Sequence, residues 1–160
     1  MNPVALAAVF LLSGNARVQV APFPAGDHPG EMRVTLEPTR TKGHVSVRIE
    51  SRGYDCVLDA TRSSTGTLAF STPATCPVEV RNADARGHVD ARLRSGRGTV
   101  QGDRLSVELQ FYVSGRIATR FSRTTFTVLG TEVVVPEGWT PAAPVRGTVT
   151  SSGSGTRQRS

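Results

Sequence analysis

A chain of 160 residues with 38% apolar content is neither too short nor too polar to bury a core, and its length predicts one domain with tails. Nineteen basic residues against thirteen acidic give a net charge of +6, a balance that favours polyanions as partners. Lys42 is the only lysine, however, so the arginine excess also fits the coding bias of a GC-rich bacterial genome and is weak support for phosphate binding.

Residues 4–12 contain no polar side chain and are followed by Ser13, Gly14, Asn15 and Ala16. A short apolar run ending in small residues at the −3 and −1 positions of a cleavage site is the pattern of a secretory leader. Residues 1–16 therefore read as a signal peptide, which predicts a periplasmic or extracellular protein. The competing reading is a buried N-terminal strand. The run is too short to cross a bilayer as a helix, so no transmembrane segment is expected in the mature chain. Residues 17–30, rich in Pro, Gly and Ala, read as an extended lead-in.

Residues 31–150 carry the domain. Apolar positions alternate with polar ones at Met32, Val34 and Leu36, then at Val45, Val47 and Ile49, and again at Cys56, Leu58 and Ala60. Leu68 and Phe70 form a shorter run, Cys76, Val78 and Val80 another, and Val89, Ala91 and Leu93 the next. The longest alternation is Leu105, Val107, Leu109, Phe111 and Val113. A period of two places one set of side chains on each face of a strand, so these runs predict half-buried antiparallel strands. Ile117 leads into a further run with Phe121, Phe126 and Val128 as its apolar members, and residues 131–135 are placed to close the sheet. Turns rich in Gly, Asp, Asn and Pro separate the runs. The fold class is all-β: a single antiparallel β-sandwich or up-and-down barrel of about eight strands. Residues 136–144 hold too many prolines for a central strand, and the Gly/Ser-rich residues 151–160 read as a disordered tail.

Cys56 and Cys76 are the only cysteines, both in inward phase. An even, minimal pair in an oxidising compartment predicts one disulfide, and no further Cys or His at ligand spacing suggests a metal or other cofactor. Gly96, Gly98 and Gly102 approach a dinucleotide fingerprint, but they join two strands where that motif opens a helix, so they read as turn and bulge residues. His88 and Asp90 share a face without a visible third partner, and no nucleophile elbow or zinc-binding helix occurs. No catalytic residue is assigned.

Two binding surfaces remain. The interior set is apolar, so a closed sheet would be filled by its own side chains or would hold one small apolar ligand; Trp139 is placed at one end of that interior, as a plug or as a ligand-stacking residue. The alternative is a basic outer face in which Arg92, Arg94, Arg97 and Arg116 bind an envelope polyanion. That face lacks the interleaved aromatics of a single-strand nucleic-acid platform, and no specific nucleic-acid motif is present. The function expected is non-catalytic: binding, or a role in the cell envelope.

Overall fold

In a computed structural model that describes residues 7–51 and 54–159, every regular element is a β-strand. In chain order these are β1 (Ala8–Ala21), β2 (Gly26–Pro38), β3 (His44–Ser51), β4 (Tyr54–Arg62), β5 (Thr67–Phe70) and β6 (Ala74–Arg81). They continue as β7 (Ala85–Gln101), β8 (Arg104–Phe121), β9 (Thr124–Val128), β10 (Thr131–Val135), β11 (Gly138–Trp139) and β12 (Ala143–Arg157). Twelve strands appear among the described residues where the alternation suggests about eight: β1, the two-residue β11 and β12 lie in segments read as leader, proline-rich stretch and tail, and residues 131–135 form a strand of their own as β10. All pairings are antiparallel.

The hydrogen-bonded neighbours follow one another as β8, β12, β1, β2, β3, β4, β5 and β7, and β7 pairs again with β8. β6 continues the line of β5 along β7, β11 adds two residues to the edge of β8, and β9–β10 forms its own two-stranded sheet. Alternation decides which face is interior. On β8, Leu105, Val107, Leu109, Phe111 and Val113 are buried while Ser106, Glu108, Gln110, Tyr112 and Ser114 are exposed, as their period of two requires. On the outer face of β3 and β4, Arg48 donates to both carboxylate oxygens of Asp55 at 3.1 and 2.8 Å. Those bonds hold the Asp55 carboxyl below its ordinary value.

Both ends of the chain differ from their sequence readings. Ala8–Ala21 is one continuous strand, paired with β2 on one side and β12 on the other, and Phe10 and Leu12 lie in the core. Residues 8–16 of the leader-like segment and 17–21 of the lead-in therefore serve as sheet, and Gly26 to Gly30 opens β2; residues 1–6 lie outside those described. Phe10 and Leu12, separated by one residue, satisfy a strand period as well as an apolar leader, so composition alone could not separate the two. At the other end, residues 151–157 belong to β12 and are held between β1 and β8. Their small residues reflect crowding and not disorder. A Cβ at Gly153 would stand 3.3 Å from Met32 Cε and 3.4 Å from Leu12 Cβ, so neighbouring side chains already fill that space.

Of the three central glycines, Gly96 and Gly98 lie inside β7 beyond a bulge between Leu93 and Ser95 and answer to packing, whereas Gly102 makes the β7–β8 turn with φ 59°. A Cβ at Gly96 would come within 2.8 Å of Leu109 Cδ2 and 3.1 Å of Phe70. The run expected from Ile117 to Leu129 is split: β8 ends at Phe121, and β9 starts a hairpin that leaves the main sheet.

Candidate functional site: an apolar cavity at one end of the interior

The interior is packed at one end and holds a cavity toward the other. Toward the β2–β3, β4–β5 and β7–β8 connections the inward positions include Phe10, Leu12, Leu36, Leu58, Leu68 and Leu105 together with Val34, Val47 and Ala60, all sealed from solvent. Toward the β1–β2 and β6–β7 connections they become Val18, Val20, Val78, Val80, Val89, Ala91, Val113 and Val149. Between them lies a cavity of about 610 Å³. That volume lies within the range of ligand pockets. Ile49, Leu109 and Phe111 form its buried floor, and Phe23 and Pro24 from the β1–β2 connection stand at its rim. Val18, Val78, Val80, Ile117 and Val149 point inward yet remain partly exposed, which marks this end as the mouth.

The cavity is electrostatically bland. No polar or charged residue is fully buried among the described residues, and the ionisable side chains His28 and Glu31 line only the exposed rim. Tyr54 contributes its ring, packed edge-on to Phe111 with centroids 6.3 Å apart. Its hydroxyl oxygen is buried without a hydrogen-bond partner among the described residues, and burial pushes the phenol well above its usual value. Such a lining favours an uncharged, apolar occupant, since an ion would leave its hydration shell with nothing to replace it.

Cys56 on β4 and Cys76 on β6 are buried at disulfide distance, Cα–Cα 5.6 Å. β4 pairs with β5 only through residues 60–62, and β6 pairs with β7. The cysteines thus join two strands side by side where no backbone ladder connects them, next to the cavity wall formed by Tyr54 and Val78.

Trp139 is not part of this lining. It sits on β11 against Arg120 of β8, with the Arg86 guanidinium carbon 4.3 Å above its ring. Together with Arg81, His88 and Arg116 it lines a second, open groove of about 900 Å³ on the outer face. The four arginines of the basic face are all exposed, as their phase predicted, but they form a stripe and not a cluster. Arg116 opposes His88 and Arg97 opposes Glu108, nine residues apart along β7, or about 30 Å at strand rise. Arg97 is paired with Glu108 at 3.3 Å, Arg116 donates to the Ala142 carbonyl at 3.4 Å, Arg92 opposes Tyr112, and Arg94 falls in the bulge. His88 and Asp90 lie 3.3 Å apart on the exposed face.

Sequence reasoning identified the inward residues but not the cavity. No local signal marks it, since the large Ile49, Tyr54, Leu109 and Phe111 line the cavity while the small Val34, Val47, Ala60 and Val100 lie in the packed end. No known protein family, curated protein or solved structure matches the chain.

Proposed function

We propose that the protein is a non-catalytic binder of a small, uncharged apolar ligand, working outside the cytoplasm, with its eight-membered ring of strands acting as a small barrel. One observation carries this reading: a cavity of about 610 Å³ walled by inward valines and floored by Ile49, Leu109 and Phe111. Small barrels that are not filled by their own side chains hold one ligand of this size. The ring of pairings supports a closed barrel over an open sandwich. A Cys56–Cys76 bond agrees with an oxidising compartment. In this reading the exported form keeps β1, because a chain cut after Ala16 would lose Phe10 and Leu12 from the core.

Titration of the purified protein with the neutral fluorophore N-phenyl-1-naphthylamine tests the reading. Saturable, blue-shifted fluorescence that Ala91→Phe suppresses is expected, since Ala91 lines the cavity; a folded protein that never saturates would overturn it.

A second reading, polyanion binding by the outer face, rests on the exposed Arg92, Arg94, Arg97 and Arg116. It requires heparin retention that falls steeply with salt and is lost in Arg92→Glu/Arg94→Glu.

A further inference from the structure

The β9–β10 hairpin is the least explained part of the molecule. It forms a sheet of its own, and every residue of β9 is exposed. Its register sets Phe126 opposite Val133 and Thr124 opposite Val135, so these residues and Val128 share one face, while Thr125, Thr127, Glu132 and Val134 share the other. Phe126 is 45% and Val128 47% exposed. At the tip, Leu129 is fully exposed and adopts φ 49°, followed by Gly130 at φ 77°. Turns of this shape favour Asn-Gly, so a leucine here is the worse choice both for the backbone and for solubility. An isolated two-stranded hairpin is marginal in water, and no other strand among the described residues pairs with this one.

We propose that the hairpin docks the protein on an anionic lipid bilayer, with Leu129 and Phe126 entering the acyl boundary. Two observations favour this occupant. A protruding tip is suited to entering a fluid layer. The hairpin also springs from the end of β8 beyond Ile117, beside the outer groove lined by Arg81, Arg86, His88 and Arg116 with Glu79 as the acid in its lining, Asp90 beside His88, and Trp139 beneath Arg86. Arginines with an aromatic at headgroup level and apolar side chains below them match the layering of an anionic interface. The one acid in the hairpin, Glu132, lies on its other face. The same end carries the cavity mouth, so docking would bring an apolar ligand from the bilayer to the site, although the docking argument stands without that ligand.

Co-sedimentation of the full chain with phosphatidylglycerol/phosphatidylcholine vesicles, against phosphatidylcholine alone, tests the proposal. Binding is expected to the anionic vesicles and to weaken with salt. Leu129→Asn suits the turn and should leave thermal unfolding unchanged or raised while lowering vesicle affinity about tenfold or more. Arg86→Glu/Arg116→Glu should lose the preference for anionic lipid. Ala91→Phe should bind vesicles normally even where it no longer binds the naphthylamine, which separates failure of the docking from failure of the cavity reading. The proposal is overturned by absent co-sedimentation, by undiminished binding of Leu129→Asn, or by a dimer that Leu129→Asn dissociates, since the face would then belong to a second copy.

Discussion

Truncating Leu109 to alanine tests the face assignment and the hollow interior together. Leu109 is 2% exposed on β8, its Cδ2 lies against the backbone of Gly96, and it belongs to the cavity floor. Removing its three outer carbons forfeits about 2 kcal/mol of burial, with a further cost for the space left behind. Because that space opens into an existing cavity, the walls cannot collapse on it, and a loss of about 3 kcal/mol is expected. Leu105, fully sealed at the packed end, should lose at least as much on the same change, through a new closed void. Glu108, between these two in sequence, points outward with an exposed partner, Arg97, at 3.3 Å, and its replacement by alanine should change stability by under about 0.5 kcal/mol. Urea titrations followed by far-ultraviolet circular dichroism, with the cysteines oxidised, measure all three. Equal losses at positions 108 and 109 would refute the phase. A Leu109→Ala variant as stable as the parent would refute a rigid cavity floor.

Two further predictions concern the covalent frame and the first strand. Closing a loop of sequence separation 20 restricts the unfolded chain by roughly 3 kcal/mol in the entropic account, so Cys56→Ser/Cys76→Ser should unfold at correspondingly lower urea. Alkylation of the native protein without reductant should modify neither cysteine, and two modified thiols in correctly localised protein would exclude the bond. Deleting residues 1–16 should leave β2 and β12 without their shared partner over most of its length and abolish cooperative unfolding; intact mass of the protein from its host should accordingly retain Phe10 and Leu12, and a mature N-terminus at Arg17 would contradict the place given to β1.

The strands between Met32 and Val113 were legible because each follows a period of two with polar turns between, and Cys56, Leu58, Cys76 and Val78 face inward as that period demands. The ends were not legible for a physical reason. In Ala8–Ala21 a short apolar stretch carries the same composition whether it serves as a leader or as a buried strand. In β12 the inward positions Gly147, Gly153 and Gly155 offer no hydrophobic signal at all, since their space is taken by the neighbouring strands. The site was half legible: alternation marked Val89, Ala91 and Val113 as interior, whereas the void between them depends on how wide the ring closes, which no local pattern states. Trp139 was drawn to the interior by its size, but β11 places it on the outer edge of β8 beneath Arg86.

The central claim, a ligand cavity inside the sheet, is met most directly by methyl-resolved NMR of the oxidised protein during titration with N-phenyl-1-naphthylamine. The account predicts saturable shifts at the methyls of Val18, Val89, Val113 and Val149, which line the cavity, and none at Val47 or Leu68 in the packed end. Saturable binding whose shifts fall instead on outer-face residues such as Val57, with the inward valines unmoved, would contradict it.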